Sequence, residues 1–328
     1  MGQRHLIGAL ESSFISEIWI CDILNDALNS AKENVKPLLK DKRVQFLTNS
    51  EIDFKKCEFD IVILSSTADD RIGLLNEITL ANPKYVLIEK PLGQSLELVS
   101  DLIDYCNTKS RIKFFVNLNM RLYPGFKELK QNIKSLDQMS GIISVSLNTG
   151  TIGIGANGIH YLDLLFFLFD ADNYKVMYAE VDEETIPSGR GSNFLDFGGA
   201  IYLKLFSKNK IVAKVYFSLS SSSTSFGIWE FLGDNARITI NELEQIKILN
   251  LRNPKSTLPK NRYAADYLKP EMEPFISPNL SLLTTEWIES IATNKESLPN
   301  ISESLISHEV LFEWLNASNF EKKNFPIT

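Results

Sequence analysis

The sequence predicts an α/β chain of two domains, in which a doubly wound parallel sheet precedes a larger, mostly antiparallel sheet. In the first third, short strands that are apolar throughout alternate with helix-forming segments, which is typical of a parallel sheet covered on both faces. In the remainder, strand-forming runs follow one another with few helices between them, which is typical of an antiparallel sheet. Because 328 residues are many for one domain, we place the domains at 1–118 and 119–328.

Composition and charge exclude several classes of function. The net charge of −7 and the absence of any Lys/Arg cluster argue against a nucleic-acid-binding surface. The most apolar run, 162–169, is interrupted by Asp163 and is too short to cross a bilayer. Three scattered cysteines without metal-ligand spacing are typical of a reducing compartment. We therefore expect a cytoplasmic globular protein with no metal, no membrane association and no nucleic-acid partner.

The first domain is predicted to contain five strands, separated mostly by helices. The strands are expected at 17–22, 44–47, 59–64, 85–88 and 112–117, and the helices at 3–10, 25–39, 69–81 and 95–107. Asp22 closes the first of these strands. An acid at the corresponding point of a dinucleotide-binding sheet accepts hydrogen bonds from the ribose hydroxyls of NAD. A helix N-cap is an equally common role for an aspartate and stays open.

The strand 85–88 runs directly into Glu89-Lys90-Pro91-Leu92-Gly93. A charged pair at the carboxyl end of a parallel strand lies where open α/β sheets bind their ligands. Pro91 biases Lys90 toward an extended conformation, which gives the lysine a defined direction. The alternative is an ordinary solvated Glu–Lys pair at a strand exit.

The second domain is predicted to consist of strands at 141–148, 175–181, 195–206, 211–220, 227–232 and 237–240, with helices at 126–133, 280–293 and 302–317. Its glycine segment 153–158 has the G-x-G-x-x-G spacing of a dinucleotide fingerprint. The strand before this segment alternates and strands follow it, so we favour glycines that allow close backbone approach to a ligand.

Directly after the glycines, His160 and Asp163 lie three residues apart on one helix face. A histidine at a helix start beside a glycine-lined space can transfer protons near neutral pH. The alternative is a histidine hydrogen-bonded within its own helix. We expect His5 to be structural, and His308 lies near an apolar helix stripe.

Taken together, these motifs resemble the Gfo/Idh/MocA family of NAD(P)-dependent oxidoreductases. The order and spacing match over nearly the whole chain, through Gly2-Gln3-Arg4-His5-Leu6, Asp22, Ser65-Ser66-Thr67, Glu89-Lys90-Pro91-Leu92, Asn119-Met120-Arg121 and His160-Tyr161-Leu162-Asp163. The resemblance implies a Rossmann-like domain followed by an α+β domain with a large, mostly antiparallel sheet. It also implies a homo-oligomer formed through that second sheet.

The resemblance assigns acid/base catalysis to Lys90 and His160, and it favours NAD over NADP. Cofactor binding is expected from Gly2, Gln3, Asp22, Ser65, Ser66, Thr67, Glu89, Lys90 and Asn119. A sugar, sugar-nucleotide or cyclitol substrate is expected at Lys90, Arg121, Asn157, His160 and Asp163. The reaction is then a hydride transfer between the nicotinamide and a hydroxyl or carbonyl carbon of the substrate.

Two departures from the family pattern accompany the resemblance. The family commonly has an aspartate four residues before the histidine, where this chain has Ala156. The first strand of the Rossmann-like sheet and most of its glycine turn are missing before Gly2, and we expect the recorded start to be an internal methionine or the gene to be a truncated remnant. Both departures favour one alternative, a non-catalytic sugar- or nucleotide-binding homologue. A reductase acting on a carbonyl or imine is a further alternative.

Overall fold

The structure, a computed structural model, describes residues 1–39, 42–135, 139–150, 152–188, 191, 193–220, 227–259, 266–295, 298–318 and 325–328. The chain divides into two compact units. The first comprises Met1–Gly93, Ser100–Leu122 and Pro278–Glu303, and the second comprises Gln94–Val99, Tyr123–Ser277 and Ser304–Thr328. None of the described helices is both long enough and apolar enough to span a bilayer.

The described residues of the first unit form five parallel strands in two sheets. Strands β1 (Glu17–Asp22) and β2 (Arg43–Thr48) form one sheet, and β3 (Ile61–Leu64), β4 (Tyr85–Ile88) and β5 (Lys113–Val116) form the other. Every pair within these sheets is parallel and in register, which confirms the predicted parallel architecture. A doubly wound sheet has one further strand between these two groups, and the described residues contain none there.

Helices α1 (Gly2–Glu11) and α2 (Asn25–Val35) cover the first sheet because each presents an apolar stripe toward it. They pack Leu10 and Val35 against Ile20 and Phe46 of that sheet. Helices α3 (Arg71–Ile78) and α4 (Leu96–Asn107) follow β3 and β4 in the chain, and the first turn of α4 is assigned to the second unit.

Helix α7 (Leu280–Ala292) belongs to the first unit although it follows the second unit's strands in the chain. Trp287 of α7 packs edge-on against Phe115 of β5, with ring centroids 5.9 Å apart. The backbone of α1 approaches α7 so closely at Gly8 that a Cβ there would lie 2.3 Å from the Ser281 carbonyl oxygen. A division of the chain at residue 118 would leave α7 in the second domain, because sequence order alone does not reveal this return.

The second unit is built on an eight-stranded sheet in the order β13-β12-β11-β10-β6-β9-β8-β7. The strands are β6 (Ile143–Gly150), β7 (Asn173–Pro187), β8 (Leu195–Ser207), β9 (Lys210–Ser220), β10 (Ile228–Leu232), β11 (Ala236–Asn241), β12 (Ile246–Leu251) and β13 (Glu271–Pro274). Among these strands only β6 and β9 pair in parallel, so the sheet is mostly antiparallel, as predicted.

Three helices of the second unit pack together: α5 (Pro124–Ser135), α6 (Ile159–Phe169) and α8 (Leu305–Leu315). Helix α6 is buried along almost its whole length, which its apolar sequence requires. Its Tyr161 ring contacts Phe217 of β9 and Trp229 of β10, with centroids 5.7 Å and 5.5 Å away. The sheet and helices therefore share one aromatic core.

Candidate active site

The carboxyl ends of the parallel strands in the first unit carry the polar residues of the candidate cofactor site. Asp22 ends β1, Ser65 follows β3, Glu89 follows β4 and Asn117 follows β5. In an open α/β sheet this edge is where nucleotides and substrates bind. The sequence therefore placed these residues correctly along the strands, and their side-chain contacts distinguish their roles.

The first turn of α1 lies against the turn that follows β3. A Cβ on Gly2 would lie 2.9 Å from Ser65 Oγ, so glycine allows the close approach. The N-terminus of this ten-residue helix has no side-chain cap, and Gln3 beside it is partly exposed. Unsatisfied N–H groups and the helix dipole favour an anion at such a position, so these residues fit the phosphates of a dinucleotide.

Asp22 forms a local turn instead of capping α2. Its Oδ1 accepts a hydrogen bond from the backbone N–H of Leu24 at 2.9 Å, while the N-cap of α2 is Leu24 itself, without a side-chain cap. Asp22 is only partly buried at the end of β1. The N-cap alternative is therefore wrong, and the position of the carboxylate fits recognition of a ribose.

Arg71 organises the turn formed by Ser65, Ser66 and Thr67. Its guanidinium donates to the Thr67 and Ser66 carbonyl oxygens at 3.1 Å and 3.2 Å, and it also donates to the Glu89 carbonyl oxygen. The arginine is almost completely buried. It therefore holds the turn after β3 against the end of β4, a role that its position in the sequence did not suggest.

Glu89 is fully buried, and Lys90 is only 6% exposed. The alternative of a solvated Glu–Lys pair is therefore wrong. Glu89 Oε1 accepts hydrogen bonds from His5 Nε2 and Asn117 Nδ2, each at 2.8 Å. Burial acts to raise the pKa of Glu89, but the hydrogen bond and charge of His5, the charge of Lys90 and the Asn117 amide outweigh it and lower the pKa to about 2.

These contacts give Glu89 a structural role, because it binds the side chains of His5 and Asn117. Its predicted role in cofactor binding is a separate one. Lys90 is the second charged residue after β4, and its peptide bond to Pro91 is cis. Asn119 and Arg121 lie in a short 3₁₀ helix, Asn119–Leu122, just after β5, and both are partly buried. Helix α7 packs on this segment and fixes its position in the first unit.

In the second unit, the predicted glycine segment forms a π-helical turn, Ile154–Gly158, that leads into α6. The Asp196 carboxylate accepts hydrogen bonds from the backbone N–H groups of Gly155 at 2.9 Å and Ala156 at 2.6 Å, and a third from that of Phe197. A Cβ on Gly153 would lie 2.0 Å from that carboxylate. The glycines thus allow the close approach of the protein's own Asp196 carboxylate.

The sheet register explains how Asp196 reaches this turn. Gly150 at the end of β6 pairs with Ser220 at the end of β9, and Leu219 pairs with Gly199 near the start of β8. The end of β6 and the start of β8 therefore lie at one end of the sheet. Asp196 could not be assigned from the sequence, because 40 residues separate it from Ala156.

A cavity of about 150 Å³ adjoins this turn. Its polar lining comes from Asn157, Ser188, Asp196 and Thr328, and its apolar lining includes Ile186 and Leu195. Asn157 is thus at the surface of this cavity. His160 lies in the first turn of α6 and is partly buried.

Asp163 lies apart from this cavity lining and is 1% exposed. Its Oδ1 accepts a hydrogen bond from Ser307 Oγ of α8 at 3.2 Å. This contact joins α6 to α8 through the core. The structure therefore gives Asp163 a packing role and brings Asn157, but not Asp163, to the cavity.

Solved structures with this fold were found, whereas no family model and no curated protein matches the sequence. An oxidoreductase domain protein from Kribbella flavida has a TM-score of 0.71 at 14% identity, with 97% of this chain and 94% of that chain covered. An oxidoreductase from Agrobacterium radiobacter, in complex with NAD⁺, L-tartaric acid and magnesium, has a TM-score of 0.70 at 12% identity, with 98% and 94% covered.

The chain has the fold of these two oxidoreductases. The fold expected from the motifs is thereby confirmed. The same fold occurs in the transcriptional regulator Gal80p from Kluyveromyces lactis, with a TM-score of 0.67 at 11% identity and with 92% of this chain and 89% of that chain covered. At these identities the likeness concerns the fold, and function must be argued from the site.

Proposed function

We propose that this protein is a nicotinamide-dependent oxidoreductase that moves a hydride between the cofactor and a carbon of a sugar, sugar nucleotide or cyclitol. The observation that carries the proposal is Lys90, which follows a parallel strand at its ligand-binding edge and is joined to a residue held by buried hydrogen bonds. Because Glu89 is held by these hydrogen bonds, the backbone that carries Lys90 needs little reorganisation when charge develops on a substrate oxygen.

NAD is the cofactor we propose, with the residues of the first unit holding it. The start of α1 at Gly2 and Gln3 would bind phosphate, Asp22 would bind the ribose, and the turn 65–67 would line the dinucleotide. Asn119 would contact the cofactor, and Arg121 in the same turn would contact substrate. When bound, the nicotinamide supplies or accepts the hydride.

The protein's own residues would manage the proton and the charge on oxygen. As a hydroxyl is oxidised, its proton must leave, and His160 is the residue we propose to accept it. The Lys90 ammonium would donate a hydrogen bond to the same oxygen and stabilise its developing negative charge. In the reverse direction His160 would return the proton to the new hydroxyl. Asn157 would bind a further substrate hydroxyl.

Substitution of Lys90 by Met tests this proposal. Met keeps the length and the apolar stem of lysine but removes the ammonium, so turnover should fall at least about 100-fold. NADH binding, followed by cofactor fluorescence, should persist, and Lys84→Met, at an exposed lysine of the same unit, should change neither quantity. Wild-type turnover in Lys90→Met would contradict the catalytic role.

A non-catalytic sugar- or nucleotide-binding protein is the second candidate. It is favoured by Ala156, where the family commonly has an aspartate, and by the regulator that shares the fold. Asp196 does not restore that aspartate as an acid/base group, because its carboxylate is engaged by three backbone N–H groups. Saturable binding of a sugar or cyclitol without any NAD(H) binding would favour this candidate over the oxidoreductase.

A further inference from the structure

A buried chain of side chains within the first unit connects α7 to Glu89, the residue before Lys90. Thr284 Oγ1 lies 2.8 Å from His5 Nδ1, and His5 Nε2 lies 2.8 Å from Glu89 Oε1. Asn117 Nδ2 donates to the same carboxylate oxygen at 2.8 Å. Glu89 Oε2 has no hydrogen-bond partner among the residues that the structure describes. The carboxylate therefore depends on the two donors at Oε1.

The hydrogen atoms available on each side chain determine which group donates the hydrogen bond to Glu89. An ionised carboxylate only accepts hydrogen bonds, so His5 Nε2 must carry a proton and donate it to Glu89. Thr284 Oγ1 has a single hydrogen, which it gives either to His5 Nδ1 or to the Leu280 carbonyl oxygen, also 2.8 Å away. In both arrangements α7 orients the imidazole and the imidazole orients the carboxylate.

Glu89 is held at its backbone as well. Its N–H donates to the Leu64 carbonyl oxygen of β3 at 3.0 Å, and its carbonyl oxygen accepts from Arg71 of α3. The backbone and side chain of the residue that precedes Lys90 are thus attached to four elements. The titratable and charged groups around Glu89 in these contacts are His5 on α1, Arg71 on α3 and the adjacent Lys90.

We propose that His5 and Glu89 are positioning residues for Lys90: the Thr284–His5–Glu89 chain fixes the backbone that carries the lysine, and the buried Glu89 carboxylate interacts with its ammonium. This inference rests on the proposed function, because it assigns the purpose of the chain to the Lys90 ammonium. Helix α7 would then influence the position of Lys90 through His5 and Glu89, without contacting the substrate.

A matched pair of substitutions at His5 tests the positioning role. The amide nitrogen of Gln can take the place of Nε2 and still donate to Glu89, whereas Asn is too short to do so. We expect His5→Asn to lower kcat at least 10-fold with little change in KM for NADH, and His5→Gln to recover most of the loss. Equal kcat in both variants, at any level, would overturn the positioning role.

A second measurement does not depend on turnover. In protein labelled with ¹³C at lysine Cε, the Lys90 signal can be assigned by its loss in Lys90→Arg and followed through a pH titration. Glu89→Gln removes the neighbouring negative charge, so the Lys90 midpoint should move down by at least about one pH unit relative to wild type. Glu97→Gln, an exposed substitution on α4, should leave it in place.

The two measurements separate this inference from the proposed function. An unchanged Lys90 midpoint in Glu89→Gln would overturn the inference even if Lys90→Met abolishes turnover. A shifted midpoint in a protein without oxidoreductase activity would support the coupling of Glu89 to Lys90 and reject the proposed function. The fold of each variant is checked by its far-ultraviolet circular dichroism and unfolding midpoint.

Discussion

Glu242 in the second unit is a buried acid whose behaviour is opposite to that of Glu89. It accepts a hydrogen bond from Trp229 Nε1 at 2.7 Å, but no cation holds it in an ion pair among the described contacts. Burial raises its pKa from the ordinary 4.5 to about 7, and the Trp229 hydrogen bond opposes this only in part. The same residue type is thus ionised in one unit and protonated over most of the acidic range in the other.

This difference predicts how stability depends on pH. Because the pKa of Glu242 is higher in the folded protein, the folded state binds the proton more tightly, and stability should fall as the pH rises from 4.5 to about 7. The loss corresponds to about 3 kcal/mol of unfolding free energy. Glu242→Gln should abolish this pH-dependent loss. In urea titrations near pH 8, its unfolding free energy should therefore exceed that of the wild-type protein.

Glu244→Gln is the control for that measurement, since Glu244 is exposed two residues away. It should follow the wild-type curve. A Glu242→Gln protein whose unfolding free energy keeps the wild-type pH dependence would show that Glu242 is not the group responsible.

Single residues also show how far the sequence could predict the site. Asp22, Lys90 and Asn117 were recognisable at strand ends, because apolar runs mark the strands and the polar residue that follows marks their exit. Asp196 and Thr284 were not recognisable, since each acts through a contact distant in sequence; Thr284 and His5 are 279 residues apart. Local patterns predict elements, whereas these side chains acquire their roles only when the elements pack.

At the scale of elements, the contact between helices α1 and α7 is so close that one added side-chain atom at Gly8 would disturb it. In an isolated helix, replacing Gly8 by Ala would stabilise by about 1 kcal/mol, because glycine disfavours the helix. Here the new Cβ would lie 2.3 Å from the Ser281 carbonyl oxygen and 2.7 Å from Thr284 Cβ. Because the obstructing atom is backbone, the helices must separate, which costs about 2–3 kcal/mol and reverses the sign.

We therefore expect Gly8→Ala to lower the unfolding free energy by about 1–2 kcal/mol in urea denaturation. Glu11→Ala, at an exposed position of the same helix, should change it by less than about 0.5 kcal/mol. A more stable Gly8→Ala protein would mean that α1 and α7 do not approach so closely.

At the scale of elements, prediction from sequence located the strands of the first unit but missed β12 and β13, and the unit to which α7 belongs follows from its packing. The segments 85–88 and 112–117 mark β4 and β5 to within a residue, because each contains a short run of adjacent apolar residues, 85–88 and 114–116, of the kind that a buried parallel strand needs. Helix α7 has an apolar face that would suit either unit. Only its packing on Phe115 and Gly8 selects the first.

At the scale of the whole molecule, one face of the eight-stranded sheet carries a row of tyrosines. Tyr178, Tyr202 and Tyr216 lie opposite one another on β7, β8 and β9, and Tyr178 and Tyr216 are 53% and 50% exposed. Aromatic side chains of this kind are enriched at protein interfaces. We propose that this face binds a second copy of the chain.

Tyr216→Glu should therefore shift the protein toward the monomer, because it would bury an unpaired charge at the interface in both copies. Multi-angle light scattering at micromolar concentrations measures the change in molar mass. Tyr267→Glu alters an equally exposed tyrosine outside the row and should not affect assembly. A monomeric wild-type protein, or the same oligomer in Tyr216→Glu, would exclude this face.

The return of α7 to the first unit has a consequence for synthesis on the ribosome. Residues 123–277 must all be translated between Leu122 and α7. At about 5–20 residues per second, the nascent first unit waits roughly 10–30 seconds for its last helix. During that interval Phe115 and the Gly8 face of α1 lack their covering surface, so we expect the growing chain to engage a chaperone that binds exposed apolar segments. The N-terminal unit would then become native only after most of the second unit has been made.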